Sequence, residues 1–156
     1  MKSPSLASQH QKLSWLIAQA SALAAEQLEL QAHWARYICV LASGFLENAL
    51  KEVYSEYARS CSSAGVADFV ESKLATIQNP KAGRFLETAG AFSKAWAVDL
   101  ETFLETDGRK EAIDSIMANR HLIAHGKDSG ITLVRVKDYL AKSVRVIEFI
   151  ERQCEG

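Results

Sequence analysis

The sequence has few cysteines, and their arrangement indicates neither a metal site nor a disulfide framework. Cys39, Cys61 and Cys154 are widely spaced, form no Cys-x-x-Cys pair and cannot all pair with one another. Disulfide-rich domains belong to oxidising compartments, whereas unpaired cysteines are usual in the reducing cytoplasm. We therefore expect a cytoplasmic protein.

Long apolar runs are also missing. No stretch approaches the roughly 18 consecutive apolar residues that a membrane-spanning helix requires. The first residues, Met1-Lys2-Ser3-Pro4, lead into a segment that contains glutamine and histidine rather than an uninterrupted apolar core. This pattern is not that of a signal peptide. We expect no association with membranes.

An excess of charge of one sign is absent as well. The formal net charge is −1, so the overall charge gives no indication of nucleic-acid binding. Any contact with RNA must come from a local patch. Hydrophobic residues make up 48% and charged residues 24% of the 156 residues, which is typical of a soluble globular protein. Because we find no repeat, low-complexity tract or linker, we expect one domain over residues 1–156.

What is present is apolar periodicity of the helical kind along most of the chain. Ser5 is the expected cap of a first helix, and little interrupts that helix before Leu30. The broadest apolar surface belongs to a second helix that runs through Trp34 and Val53 and ends in the segment 60–65, so we expect this helix to lie at the centre of a bundle.

The second half of the chain continues the pattern. A third helix is expected over Val66 to Ile77, and Asn79-Pro80 predicts the start of a fourth. A short helix over Ala95 to Thr106 precedes one that runs from Arg109 to about His125. Thr132 is the expected cap of the last helix, with Ile131 and Val136 spaced as a hydrophobic staple. Because residues 131–136 are rich in β-branched side chains, a short strand is the alternative there. The predicted fold class is an all-α bundle of about five main helices plus short ones.

An arginine, two histidines and a glycine are concentrated in the segment Asn119-Arg120-His121-Leu122-Ile123-Ala124-His125-Gly126. At about 100° per residue, Arg120 falls within the apolar stripe of its helix. A guanidinium group cannot lose its proton, so burying it requires an anionic partner. That partner is either a carboxylate of the fold, such as Glu47 or Glu52, or a bound anion such as phosphate.

Gly126 can adopt the left-handed conformation that ends helices, which places His125 in the last helical turn. The negative end of the helix dipole favours a protonated imidazole at this position. His125 therefore either stabilises the helix end or transfers protons. Together, Arg120 and His125 form a candidate site for a phosphate group. Leu122 lies on the opposite side of the helix from the core, where we expect it to pack against the following loop or a second subunit.

His121 and His125 also have the spacing of a metal-binding pair. The glutamate of a His-Glu-x-x-His motif is absent, however, and no third ligand stands out. Four acidic residues, Asp99, Glu101, Glu105 and Asp107, are interpreted as a solvated face rather than a metal cage. We expect neither a metal site nor a cofactor.

The segment Arg120-His121-(three residues)-His125 resembles the Arg-x4–6-His motif of HEPN domains. The surrounding Arg-x-x-Ile-Ala-His-Gly is most similar to the RiboL-PSP-HEPN branch of that family. Further points of resemblance are Ser43-Gly44-Phe45-Leu46-Glu47, the Asn79-Pro80 helix start and a closing helix that contains Tyr139 and Ile147. The resemblance extends over roughly Leu30 to Cys154.

The resemblance implies a HEPN-like bundle and a metal-independent endoribonuclease of the toxin or defence type, with Arg120 and His125 as catalytic residues. It also implies a homodimer in which two motifs share one cleft, and it suggests a cognate antitoxin or regulator. His121, Asn119 and Glu47 are expected to support the site. We expect Lys127 to contact an RNA phosphate. The alternative is a non-catalytic helical module that binds RNA, a nucleotide or another protein.

Overall fold

The computed structural model describes residues 1–23 and 25–156, without the side chain of residue 25. Within these residues the secondary structure is entirely helical, which confirms the predicted all-α bundle. A short 3-10 turn, Ala25–Gln27, precedes the second of the α-helices. The α-helices are α1 (Pro4–Ser21), α2 (Leu28–Cys61), α3 (Ala64–Leu74), α4 (Ala82–Phe92), α5 (Lys94–Leu104), α6 (Arg109–Ala124) and α7 (Leu133–Gln153).

The 34-residue helix α2 lies at the centre of the bundle, as its broad apolar surface predicts. It packs against α1, α3, α6 and α7. Its residues Ile38, Leu46 and Leu50 are fully buried in the apolar core that joins the helices. Burial of this kind is the main source of stability for a helical bundle, because isolated helices are marginal in water. The packing of α6 on α2 fixes the position of the motif segment.

The prediction for the N-terminal helix is wrong in two respects. Helix α1 is capped by Ser3 rather than Ser5, because Pro4 occupies the first helical position and the Ser3 hydroxyl accepts a hydrogen bond from the Leu6 N–H at 3.3 Å. The helix also ends at Ser21 rather than continuing toward Leu30. Ala24, within the expected continuous helix, lies outside the described residues.

The Asn79-Pro80 prediction is also wrong. Helix α3 ends at Leu74, earlier than expected, and α4 begins two residues after Pro80. Asn79 has a positive φ of 47°, so it belongs to a turn. The N–H of Ala82 at the start of α4, which has no partner within its own helix, donates to Asp114 Oδ1 of α6 at 2.8 Å. A carboxylate from a distant helix therefore provides the cap that we expected from the local sequence.

The start of α7 confirms the predicted cap. Thr132 accepts a hydrogen bond from the Arg135 N–H, and both Ile131 and Val136 are buried as a staple requires. Residues 131–136 contain no strand, so that alternative is wrong. Over the described ranges, none of the helices combines the length and apolarity needed to cross a lipid bilayer.

Candidate functional site

The end of helix α6 has the geometry that Gly126 predicts. The helix ends at Ala124, His125 is the capping residue, and Gly126 has a φ of +65°. The Gly126 N–H donates to the carbonyl oxygen of Ile123 at 3.1 Å, and the Lys127 N–H donates to that of Leu122 at 2.9 Å. These two bonds form a Schellman motif, which satisfies the last carbonyl groups of the helix. The backbone of His125 is thereby fixed at the helix end.

The Arg120 side chain is half-buried, one turn beyond the buried Ile116 and Met117. In the part of the chain that the structure describes, no carboxylate oxygen lies within 4.0 Å of its guanidinium nitrogens. Of the two acids considered as structural partners, Glu52 accepts a hydrogen bond from the Ser3 hydroxyl. Neither Glu52 nor Glu47 forms an ion pair with Arg120. The guanidinium group is thus available to an incoming anion.

Glu47 nevertheless lies close enough to Arg120 to feel its charge. Partial burial alone would raise the pKa of the Glu47 carboxyl group. Hydrogen bonds from Lys51 Nζ and the Asn79 N–H, together with the positive charges of Lys51 and Arg120, outweigh burial and lower that pKa. The two hydrogen bonds measure 2.8 Å and 2.7 Å. The ionised Glu47 therefore links α2 to the turn before α4 through its hydrogen bond to Asn79. Its negative charge also lies near the positive charge of Arg120.

The two histidines of the motif lie together on the surface. Their ring centroids are 4.3 Å apart, and the ring planes are inclined by 56°. Both side chains are exposed. An exposed imidazole can exchange protons with water and with a bound substrate, which general acid–base catalysis requires. Leu122, which lies between the histidines in the sequence, is half-buried.

Asn119 faces the loop that follows α6. Its amide nitrogen donates to the Ser115 carbonyl oxygen at 2.8 Å, and its amide oxygen accepts from the Ser129 hydroxyl at 2.7 Å. The buried Ser129 hydroxyl also accepts from the Ile131 N–H at 3.4 Å. Asn119 and Ser129 thus anchor the loop that carries the exposed Lys127. Ser129 is a residue that the sequence analysis did not single out, and only its place next to a glycine in a short loop could have indicated it.

Comparison with models of protein families identifies the family of the chain. The family model of RiboL-PSP-HEPN matches residues 6–156, nearly the whole chain. The chain belongs to the RiboL-PSP-HEPN family. No curated protein and no solved structure matches it. HEPN domains generally bind RNA and form dimers, and many of them are ribonucleases.

The HEPN motif of this chain places one guanidinium group and two imidazole rings at a helix end. Among the described residues, no group of three or more His, Cys, Asp or Glu side chains could hold a metal ion. Arg120 can bind two oxygens of a phosphate group, and the exposed His125 can transfer a proton. The arrangement therefore has the parts needed to handle a phosphodiester.

Proposed function

We propose that this HEPN domain is a metal-independent endoribonuclease whose active site contains Arg120 and His125. The observation that carries the proposal is the half-buried guanidinium of Arg120, which has no carboxylate within 4.0 Å among the described residues and lies five residues before an exposed histidine at a helix end. A half-buried cation without an ion-pair partner is costly in a scaffold but useful in a site that binds a phosphate.

RNA supplies its own nucleophile, the 2′-hydroxyl beside each scissile phosphate, so the reaction needs no metal-bound water. His125 removes the proton of this hydroxyl or donates a proton to the departing 5′-oxygen. Proton transfer of this kind typically contributes about 10²–10⁴-fold to the rate. Arg120 binds two phosphate oxygens and stabilises the additional negative charge at the pentacoordinate phosphorus. The products are a 2′,3′-cyclic phosphate and a 5′-hydroxyl end.

A homodimer completes the proposed site. The attacking and leaving oxygens lie on opposite sides of the phosphorus, so one histidine cannot easily serve as both base and acid. His121 lies against His125 at 4.3 Å on the same helix end, which suits it to position or tune His125 rather than to reach the far side. A second copy across a two-fold axis supplies the second Arg120–His125 pair.

The other residues of the motif region support this pair. Glu47 interacts electrostatically with Arg120, and Asn119 holds the loop that follows α6 in place. Lys127 contacts a neighbouring RNA phosphate. An enzyme that cuts RNA in its own cell requires control, so an antitoxin or another regulator is the proposed partner. We propose that the ribonuclease acts in the cytoplasm.

Incubation of RNA with the purified protein in EDTA tests the nuclease proposal. We expect cleavage by the wild type, a loss of about hundredfold or more for Arg120→Ala and His125→Ala, and no loss for His33→Ala, an exposed histidine on α2. Light scattering should give twice the 17.2 kDa chain mass. Intact RNA at high protein concentration, or equal cleavage by all the variants, would contradict the proposal.

A non-catalytic module is the second candidate function. The net charge of −1 favours it, because an enzyme that binds RNA tightly usually presents a basic surface. Such a module would bind RNA, a nucleotide or a protein through Arg120 without cutting. Binding of labelled RNA that is weakened by Arg120→Ala, with no cleavage under any condition, would favour this function.

A further inference from the structure

A groove lies between α3 and α4, with the C-terminal part of α2 beneath it. Its volume is about 530 Å³. Most of the side chains that line it are apolar or aromatic, among them Tyr57, Val66, Phe69, Leu74, Ile77 and Phe92. The groove does not include Arg120, His121 or His125. Its ligand is therefore a question separate from RNA cleavage.

The groove is open because α3 packs mainly on α2. Leu74 and Ile77, at the end of α3 and just beyond it, are buried and anchor this segment to the core. Earlier in the helix, Val66 and Phe69 are 53% and 62% exposed. Apolar side chains that line a concave surface and remain this exposed can release free energy when an apolar ligand covers them.

The ionic side chains that line the groove, Lys73, Arg84 and Glu87, carry one net positive charge. Lys73 Nζ lies 5.3 Å from the centroid of the Phe69 ring and, over the described residues, has no carboxylate within 4.0 Å. The second basic residue, Arg84, is paired with Glu87 at 2.9 Å. The ionic groups that line the groove are thus the Arg84–Glu87 ion pair and one unpaired lysine, Lys73, beside an exposed aromatic ring. The unpaired ammonium group complements a ligand with a single negative charge.

We propose that this groove binds an amphipathic organic anion, an aliphatic or aromatic group that carries one carboxylate. The apolar part contacts Phe69, Phe92 and Leu74, and the carboxylate pairs with Lys73. The volume of about 530 Å³ lies within the range of roughly 300–1,000 Å³ that small-molecule sites occupy. A lining that is mostly apolar with one unpaired charged group is also the usual composition of such sites.

Decanoate is the probe that tests this proposal, with 1-decanol as its uncharged counterpart. Calorimetric titration of the 156-residue chain should give one saturable decanoate site. Decanol should bind more weakly, by up to about fivefold, because an ion pair at an exposed position contributes at most about 1 kcal/mol. Lys73→Glu should weaken decanoate binding by a similar factor, whereas Lys110→Glu, an exposed charge reversal on α6, should leave it unchanged.

Two further measurements locate the ligand in the groove. Ala91 is exposed and lines the groove, so Ala91→Trp should obstruct it and weaken decanoate binding while the circular dichroism spectrum stays that of the wild type. Cys61 also lines the groove and is exposed, so decanoate should slow its reaction with a thiol reagent. None of these readouts depends on RNA cleavage.

Several outcomes would overturn the proposal. Absence of decanoate binding excludes the ligand class, and equal binding of decanoate and decanol excludes the role of Lys73. Equal effects of Lys73→Glu and Lys110→Glu would place the anion elsewhere. A dimer that dissociates in Ala91→Trp, together with no decanoate binding, would assign the groove to a second copy of the chain instead.

Discussion

The carboxylate of Glu47 on α2 accepts a hydrogen bond at 2.7 Å from the backbone N–H of Asn79, 32 residues further along the chain. This bond attaches the turn between α3 and α4 to α2, the helix on which the motif helix α6 packs. Asn79 has a positive φ of 47°, a conformation that asparagine tolerates better than most residues. The hydrogen bond between Glu47 and Asn79 thus connects this turn to a carboxylate that interacts electrostatically with Arg120.

The lowered pKa of Glu47 predicts a pH-dependent contribution to stability. Burial opposes ionisation, but the hydrogen bonds from Lys51 and Asn79 and the charges of Lys51 and Arg120 lower the pKa below that of an unfolded glutamate. The stabilisation is therefore fully present above the ordinary glutamate pKa and is lost as the pH falls through the folded-state pKa. Glu47→Gln should be less stable than the wild type at neutral pH, and this difference should shrink in acid.

Urea unfolding over a pH series measures this difference. Glu105→Gln is the matched control, because Glu105 is exposed and has no ion pair among the described residues. Its free energy of unfolding should track that of the wild type at every pH. A Glu47→Gln deficit that stays constant from neutral to acid pH would show that the ionised form has no special role.

Two glycines should respond oppositely to alanine. Gly126 has a φ of +65° in the Schellman turn, where a Cβ atom introduces strain, so Gly126→Ala should lower the free energy of unfolding by about 1 kcal/mol. Gly44 is exposed in the middle of α2, and a Cβ atom there would meet no atom within 4 Å. Gly44→Ala should raise that free energy by about 0.5–1 kcal/mol. Chemical denaturation of both variants checks the signs, and a stabilising Gly126→Ala would refute the assigned helix end.

The cap of α4 by Asp114 can be tested in the same way. Asp114→Ala leaves the Ala82 N–H without its acceptor at 2.8 Å, so we expect a loss of about 1 kcal/mol in the free energy of unfolding. Asp99→Ala, an exposed position on α5, should change it by less than about 0.5 kcal/mol. Equal effects of the two substitutions would exclude a specific capping role.

Features encoded within a few residues could be predicted from the sequence, whereas those that depend on packing could not. Thr132 and Gly126 act on their own helix ends, and both predictions hold. The Asn79-Pro80 prediction failed because Glu47 binds the Asn79 N–H and Asp114 caps α4. These two acids are distant in sequence, so no local pattern reveals their role.

The surroundings of Arg120 illustrate the same limit. Helical geometry placed it in the apolar stripe of α6, and the structure has it half-buried there. Whether a carboxylate neutralises it depends on how α2 packs against α6, which periodicity cannot specify. The Ser3 hydroxyl engages Glu52, and Lys51 and Asn79 engage Glu47, so neither acid pairs directly with Arg120.

The three cysteines should react with a thiol reagent in a fixed order. Burial raises the pKa of Cys39 to about 12, so its reactive thiolate is scarce at neutral pH. Burial, with the nearby Cys61 and Glu151, raises the pKa of Cys154 to about 11. Cys61 is exposed. Peptide mapping after timed alkylation should find Cys61 modified first and Cys39 last, and early modification of Cys39 in the folded protein would contradict the packing of α2 on α6.

End-group analysis of cleaved RNA tests the central claim most directly. A short RNA is incubated with the protein in EDTA, alongside the same RNA with a 2′-deoxy nucleotide at the cleaved position. The account predicts fragments with 2′,3′-cyclic phosphate and 5′-hydroxyl ends from the first RNA, no cut at the deoxy position, and cleavage slower by about hundredfold or more with Arg120→Ala or His125→Ala. Fragments with 5′-phosphate ends, or cleavage at the deoxy position, would contradict it.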